Sequence, residues 1–255
     1  MRHGHSWFGD AVAAAQGADG VLADNLHITD VSSGMPVRAT DTNDIEGGYA
    51  SLSEKAYAVI RDMLTNVEIR PGAPINEDQL AKQLEMGRTP VREAIKRLES
   101  ERLVVVYPRR GIFATQAHLS DLNLLTEVRV LLEGEAAFQA ARRGSRDDRR
   151  LFEKLIKEAI ERASDVSAEI EFDSRVHRAV YAAAHNPYLA GTLDQYYNLT
   201  IRIWHIWTDR LPEMSPRVSE LVPLLQCILD RDADCARDFA MKHVASFQKA
   251  VTEHS

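Results

Sequence analysis

Residues 87–99 read GRTPVREAIKRLE and predict a short basic helix. Thr89 can cap its N-terminus through the side-chain oxygen, and Pro90 then takes the first helical position, where a backbone N–H is not needed. The apolar residues recur three and four positions apart and share one face: Val91, Ala94, Ile95 and Leu98. The basic residues lie on the other faces: Arg88, Arg92, Lys96 and Arg97. Such a helix suits the major groove of DNA, and an ordinary solvated surface helix fits the pattern equally well.

The residues before this helix predict two more helices. A capped amphipathic helix is expected from about Ser53 to Asn66, with apolar positions one turn apart. After a turn at 69–72, a second helix begins at Asn76, a residue type that favours helix N-caps, and ends before Gly87. Two short helices joined by a tight turn that contains glycine form a helix-turn-helix.

The residues after the basic helix predict a β-hairpin with a basic tip. The β-rich runs 103–107 and 112–115 flank the turn Pro108-Arg109-Arg110-Gly111. Residues 51–116 therefore predict a winged helix-turn-helix made of three helices and a hairpin wing. Between residues 88 and 110 there are seven basic and three acidic residues, a local balance of +4 in a chain whose net charge is -7. Attraction to phosphate needs this kind of concentrated positive surface.

These motifs, in this order, resemble the DNA-binding domain of the GntR family of bacterial transcription regulators. The matching residues are Arg70-Pro71-Gly72, Leu80-Ala81-Lys82-Gln83-Leu84, the run 87–94, Arg97-Leu98, Leu103-Val104 and Pro108-Arg109-Arg110-Gly111. The resemblance implies a homodimer that reads a short palindrome, with the recognition helix in one groove and the wing tip in an adjacent one. The expected DNA-binding residues are Arg88, Thr89, Pro90, Arg92, Lys96, Arg97, Arg109, Arg110 and Gly111. Asp78 departs from the family, because some members carry a basic residue there.

The overall composition is that of an ordinary globular protein. The 255 residues are 45% hydrophobic and 27% charged. No apolar run approaches the roughly 18 residues that suggest a membrane span, and the N-terminus lacks a signal-peptide pattern, so a cytoplasmic protein is expected. Cys227 and Cys235 are predicted to be reduced, partly buried thiols. Residues 1–50 are polar and weakly periodic, and they predict a flexible extension.

From His118 onward the sequence has helical periodicity and lacks a strand pattern. Interruptions of this periodicity divide residues 118–253 into about six helices. They predict an all-α antiparallel bundle, so the fold as a whole is expected to be mainly α. This bundle resembles the FCD domain, the effector-binding and dimerisation domain named after the C-terminal half of FadR. The matching residues are Glu127-Val128-Arg129, Leu132-Glu133, Phe172-Asp173, His177-Arg178, Asn186-Pro187-Tyr188-Leu189, Asp232-Ala233, Ala236 and His243.

A metal site is one interpretation of Asp173 and His177. Four residues apart on one helix, their side chains project together and can hold a divalent metal, although an ordinary surface pair has the same spacing. The resemblance implies zinc, nickel or manganese held by Asp173, His177, His243 and one further histidine. That further position falls on Leu221, which cannot bind a metal. The bundle therefore binds no metal, binds one weakly with water or effector in the gap, or uses His205 or Glu220 instead.

Other side chains of the bundle are candidates for binding an effector. Arg129 matches a family arginine that faces the effector cavity, and a buried guanidinium suits a carboxylate. A structural salt bridge to Glu133, one turn away, explains Arg129 equally well. Arg202 and His205 belong to a polar stripe beside Trp204 that either faces water or lines the cavity.

Together these features predict a transcription regulator rather than an enzyme. A dimeric winged domain would bind an operator. A small metabolite, expected to be an organic acid, would bind the bundle and control DNA binding. The protein would then be a repressor that leaves the operator when the metabolite binds. Two alternatives remain open. The Asp/His cluster could activate water as a metal-dependent enzyme, or the protein could bind DNA without an effector.

Overall fold

The structure is a computed structural model that describes residues 51–161, 166–207 and 218–253. The predicted flexible extension, residues 1–50, lies outside the described residues. The first part of the described chain has the order α1 (Leu52–Thr65), β1 (Pro74–Ile75), α2 (Glu77–Gln83), α3 (Arg88–Ser100), β2 (Val104–Tyr107) and β3 (Gly111–Ala114). The second part has α4 (Leu119–Arg143), α5 (Arg146–Glu161), α6 (Val166–Ala183), α7 (Pro187–Trp207), α8 (Val218–Leu229) and α9 (Ala233–Glu253). The prediction of a mainly helical fold with a winged N-terminal part is confirmed.

The helix-turn-helix and its wing enclose a small core. The apolar faces of α1, α2 and α3 meet there, together with the strands, and the fully buried residues include Ile60, Leu64, Val91, Leu98 and Leu103. The sheet has the strand order β1-β3-β2, and both pairs of strands are antiparallel. The sequence did not predict β1, because a strand of two residues is too short to show alternation.

Helix α3 begins two residues earlier than expected, at Arg88 instead of Pro90. Its N-cap is Gly87, which has no side chain to form a capping hydrogen bond, so Thr89 lies within the first turn instead of capping it. Pro90 is still tolerated, because the N–H groups of the first turn have no partner inside the helix. The other two caps follow the expected chemistry: Ser51 accepts from the N–H of Glu54, and Asn76 accepts from two N–H groups of α2.

The wing tip is a tight turn that exposes its arginines. The N–H of Arg110 donates to the carbonyl of Tyr107 at 3.1 Å, and Pro108 occupies the second turn position. Arg109 has a φ of 63°, and Gly111 has a φ of 106°. The left-handed conformation at Gly111 explains the glycine there, because a side chain would strain it.

The six predicted helices of the bundle are all present in the described chain. Helix α4 packs along α9 and also contacts α6, α7 and α8. The largest cluster of buried side chains lies among α4, α5, α6, α8 and α9, and includes Phe152, Phe172, Leu221 and Leu225. In α4, however, the apolar residues Val128 and Leu131 are exposed.

The cysteine prediction was wrong. The structure joins Cys227 and Cys235 by a disulfide between the end of α8 and the start of α9. The short connection between these helices brings the two Cα atoms to 5.8 Å, a proximity that the spacing of eight residues did not reveal. Among the helices that the structure describes, none combines the length and apolar character needed to cross a membrane.

Candidate functional site

The first candidate site is a groove between α2, α3 and the wing. Helix α3 buries Val91, Ala94, Ile95 and Leu98 completely or nearly so, which leaves the opposite face in solvent. That groove has a volume of about 650 Å³, and its lining includes Arg88, Arg92, Arg110 and Gly111. A positive groove flanked by a helix and a hairpin can accept a DNA backbone and present side chains to base edges.

The expected DNA-binding residues divide into two sets. Thr89, Lys96 and Arg109 are exposed, on α3 and at the wing tip, next to the residues that line the groove, and Pro90 is half-buried. Arg97 differs, because it lines another cavity together with residues of α1, α6 and α7. Its guanidinium carbon lies 3.6 Å from the centre of the Tyr57 ring, and its Nε donates to Glu101 at 3.1 Å. Arg97 thus contacts Tyr57 and Glu101 and does not line the groove, and its role in DNA binding stays a prediction.

Two acidic side chains of α2 approach the groove arginines. The Nε atom of Arg88 lies 2.9 Å from an oxygen of Asp78, and the Nε atom of Arg92 lies 3.6 Å from an oxygen of Glu77. Sequence analysis identified Asp78 only as a departure from the family pattern, and it did not identify Glu77. The pairing could not be read from spacing, because it joins two different helices.

The second candidate site is a buried cluster of Asp173, His177 and His243. The ligand atoms that these three residues offer all lie within 4.8 Å of one another. The Nε2 atom of His177 is 3.5 Å from Asp173, and the Nε2 atom of His243 is 3.3 Å from it. The sequence therefore selected three residues from α6 and α9 that the fold brings together.

Each histidine of the cluster has a carboxylate on its other nitrogen. The Nδ1 atom of His177 lies 2.6 Å from Glu133, and the Nδ1 atom of His243 lies 3.4 Å from Glu220. A carboxylate on Nδ1 fixes the ring and leaves Nε2 available to a metal, an arrangement typical of histidine ligands. Both Nε2 atoms face Asp173.

The charges of the cluster are strongly coupled. Burial alone would raise the pKa of Glu133, but Arg129 and His177 hold that pKa at about 2. Burial likewise opposes the charged form of His243, yet the carboxylates of Asp173 and Glu220 beside it raise its pKa to about 9. The pKa of Asp173 is lowered in spite of its burial, because both histidines face it.

One atom of the cluster indicates that a cation fits it. Asp173 Oδ2 accepts a hydrogen bond from Tyr197 at 2.8 Å, whereas the buried Oδ1 lies 3.3 Å from Nε2 of His243 without the geometry of a hydrogen bond. Buried polar groups are rarely left in this state. A divalent metal bound by Asp173, His177 and His243 would satisfy Oδ1, and three protein ligands with open positions match a site that also binds an exogenous ligand. Glu220 lies on the Nδ1 side of His243, away from the Nε2 atom that faces Asp173, so in this geometry it orients His243 and does not replace the ligand missing at Leu221.

The four predicted effector residues lie in different surroundings. Arg129 is buried, and its Nε atom donates to Glu133 at 2.8 Å, which is the salt bridge that the sequence left open. Trp204 is buried in a cluster with Tyr197 and Ile201, and His205 is half-buried, so burial lowers its pKa. Arg202 lies at the junction with the winged part, where both of its terminal nitrogens donate to Thr115. Since Thr115 accepts from both terminal nitrogens of Arg202, the structure gives no support to the expected effector contact, which stays a prediction.

Comparisons with known proteins identify the two parts of the chain. The model of bacterial regulatory proteins of the gntR family matches residues 52–114, and the FCD domain model matches residues 124–246. The chain is 27% identical to the uncharacterised HTH-type transcriptional regulator YdhC of Bacillus subtilis (strain 168), over 56% of this chain and 65% of that protein. It is also 27% identical to the galactonate operon transcriptional repressor of Escherichia coli (strain K12), over 72% of this chain and 89% of that protein. Among solved structures, E. coli McbR/YncC superposes with a TM-score of 0.67 at 20% identity, over 80% of this chain and 98% of that one. The alignment thus spans slightly less than two thirds of the B. subtilis relative and most of the E. coli repressor.

Proposed function

Because the chain belongs to the GntR family of bacterial transcriptional regulators and carries an FCD domain, we propose that it is a repressor controlled by a metabolite. In this proposal the winged part, residues 51–116, binds a palindromic operator as a homodimer. The bundle, residues 118–253, binds a small carboxylate and thereby changes the affinity for DNA. By linkage, operator and metabolite alter each other's affinity by the same factor.

The main support for DNA binding is the placement of Arg88 and Arg92. Both lie near the N-terminal end of α3 with more than half of their side chains exposed. Arg110 and Gly111 of the wing line the same groove. Arginines at the start of a recognition helix can contact guanine edges, while wing arginines contact phosphate or the minor groove.

The main support for a metabolite site is the buried Asp/His cluster. A zinc, nickel or manganese ion would be held by Asp173, His177 and His243, and such an ion can bind a carboxylate directly. Two observations favour this assignment: Oδ1 of Asp173 accepts no well-oriented hydrogen bond from a described residue, and a carboxylate lies behind each histidine. The E. coli relative is a repressor of a galactonate operon, and galactonate is a carboxylate, which supports this choice of effector class and repression.

Two measurements test the proposal. In vitro selection from random duplexes, with the full chain, should enrich a two-fold symmetric sequence, and light scattering should give two chains per duplex. Elemental analysis of protein purified without a chelator or histidine tag should find one metal per chain, and His177→Ala should lose it. Failure to enrich any sequence contradicts the DNA-binding part, whereas absence of metal from the wild-type protein contradicts only the metal part.

The effector is then found by screening. Small sugar acids, dicarboxylates and amino acids are added to metal-loaded protein, and both the thermal unfolding temperature and the affinity for the selected duplex are measured. A true effector raises the unfolding temperature and lowers the DNA affinity. A compound that changes only one of the two is not the effector, because an effector must be linked to DNA binding.

A further inference from the structure

The groove arginines of α3 are each paired with a carboxylate from α2, and this pairing has a consequence for DNA recognition. Arg88 pairs with Asp78 at 2.9 Å, and Arg92 pairs with Glu77 at 3.6 Å. Asp78 and Glu77 are adjacent at the start of α2 and line the same groove as the arginines. Two carboxylates therefore lie on a surface whose arginines otherwise suit the negatively charged backbone of DNA.

Stability does not explain the pair of Arg88 and Asp78. The side chains of Arg88 and Asp78 are 70% and 54% exposed, and exposed ion pairs contribute about 0–1 kcal/mol. Acids in the first turn do favour α2 through the helix dipole, but any acid in that turn would do so without contacting α3. The contacts with Arg88 and Arg92 need another explanation.

We propose that Asp78 and Glu77 are positioning residues that make DNA binding by this chain selective. This role rests on the DNA binding proposed above. In both pairs the nitrogen closest to the carboxylate is Nε, so the terminal edge of each guanidinium remains for the O6 and N7 atoms of a guanine. A carboxylate behind Nε restricts the rotamers of a long side chain, and the arginine then reads a base at a lower entropic cost.

The same carboxylates disfavour binding to the wrong DNA. Phosphate contacts supply almost all of non-specific affinity, and a negative charge in the groove opposes them at every sequence. A carboxylate can also accept a hydrogen bond from the exocyclic amino group of cytosine or adenine, so Asp78 has a favourable partner only at some base pairs. Specificity is a difference between two affinities, and a repulsive element that acts on the wrong partner increases it.

The test compares the duplex enriched by the wild-type chain with a scrambled duplex of the same composition. The variants are Asp78→Asn and Glu77→Gln in the full chain. Each should raise the affinity for the scrambled duplex about three- to tenfold, because the groove loses a negative charge. The ratio of the two affinities should fall at least tenfold with Asp78→Asn, and the base preference at the position read by Arg88 should broaden.

A matched control and a double variant separate positioning from charge. Asp147→Asn removes an exposed acid from the first turn of α5, where it is paired with Arg150 at 3.2 Å, and should leave the ratio unchanged. In an Arg88→Gln background, Asp78→Asn should no longer alter base preference, because Asp78 acts through Arg88. Thermal unfolding of each variant checks that the fold is intact.

The outcomes distinguish this inference from the proposed function. If the wild-type chain enriches no sequence, DNA reading itself fails. If it enriches one and both α2 variants keep the wild-type ratio and base preference, the positioning role is overturned while the DNA-binding proposal stands. An equal effect of Asp78→Asn with and without Arg88 also overturns it, because the carboxylate then acts only through its charge.

Discussion

Arg202 of α7 donates to both oxygens of Thr115, the residue that follows β3 of the wing. Its terminal nitrogens lie 2.8 Å from the hydroxyl and 2.7 Å from the carbonyl, and its side chain is only 1% exposed. Burial lowers the pKa of Arg202 to about 10, and Nε has no hydrogen-bond partner among the described residues. The hydroxyl of Thr115 in turn donates to the carbonyl of Arg102 before β2, so the contact reaches both strands of the wing.

Helix α7 thereby joins the buried cluster to the wing. Tyr197 donates to Asp173, and Arg202 follows five residues later, about 7.5 Å along the helix axis. Leu199 of the same helix packs against the core of the winged part. A ligand that shifts Asp173 or Tyr197 can move Arg202 with it, because a helix is a stiff element.

We expect Arg202→Lys to uncouple the bundle from DNA binding. Lysine keeps the charge but cannot reach both oxygens of Thr115 in a fork. The ratio of operator affinities with and without the effector found by screening should fall toward one. The affinity of the ligand-free protein should stay within about threefold, since the groove is unchanged. Fluorescence anisotropy measures the operator affinity with and without effector. The control is Arg150→Lys, on the surface of α5. A wild-type ratio in Arg202→Lys would show that coupling takes another route.

Glu133→Gln should destabilise the bundle strongly. The glutamine keeps the shape of the side chain but leaves Arg129 as a buried cation without its carboxylate, a loss of about 3–5 kcal/mol in the free energy of unfolding. Urea unfolding of metal-free protein, followed by circular dichroism, measures this loss. Glu153→Gln, an exposed site on α5, should change little. Replacing Arg129 by Met in the same chain should recover much of the loss; if it does not, the unpaired arginine is not the cause.

Leu221→His should tighten metal binding. The family pattern places a histidine at this position, and the structure buries Leu221 next to Glu220, which contacts His243. A further imidazole should lower the dissociation constant for zinc or nickel at least tenfold, by analogy with the loss caused by removing supporting groups. Competition with a chromophoric chelator measures it. Leu155→His introduces the same polar group into the same core cluster from α5 and controls for damage to packing. Unchanged affinity would place position 221 outside the coordination sphere.

The sequence was most informative where one pattern has one structural meaning. Local sequence patterns were enough in three places. Periodicity predicted the apolar face of α3, proline and glycine predicted the turn at 108–111, and the spacing of four residues predicted that Asp173 and His177 lie together. The contacts between distant elements did not follow: Glu133 with His177, Asp78 with Arg88, and Arg202 with Thr115. These pairs depend on how helices pack, and a single sequence holds no direct record of packing. The contact between Arg97 and Tyr57 could not be foreseen for the same reason, because Tyr57 comes from another helix.

Leu131→Asp should weaken dimer formation. Leu124, Val128 and Leu131 form an exposed apolar stripe along α4, and a contiguous stripe, unlike scattered apolar residues, is typical of an interface. A two-fold symmetric dimer would pair this stripe with itself, so each substitution acts twice. Analytical ultracentrifugation should show a dissociation constant raised at least tenfold, and operator affinity should fall with it. Ile160→Asp, which alters an isolated exposed residue on α5, is the control. A dimer that survives Leu131→Asp would place the interface on another face of the bundle.

The wing and the recognition helix should contribute different kinds of affinity. Arg110 lies at an exposed turn, where it can reach phosphate or the minor groove, so Arg110→Ala should weaken binding to all sequences alike. It should also reduce the slope of log affinity against log salt by about one. Arg92→Ala should instead cost about 1–3 kcal/mol at one base pair and relax preference there. Anisotropy with the selected duplex, its single-base variants and a scrambled duplex, measured from low to high potassium chloride, separates the two. Arg150→Ala makes the same charge change away from the groove. If Arg110→Ala relaxes base preference while Arg92→Ala lowers affinity uniformly, the wing reads bases and the helix holds the backbone, the reverse of the arrangement inferred from the groove.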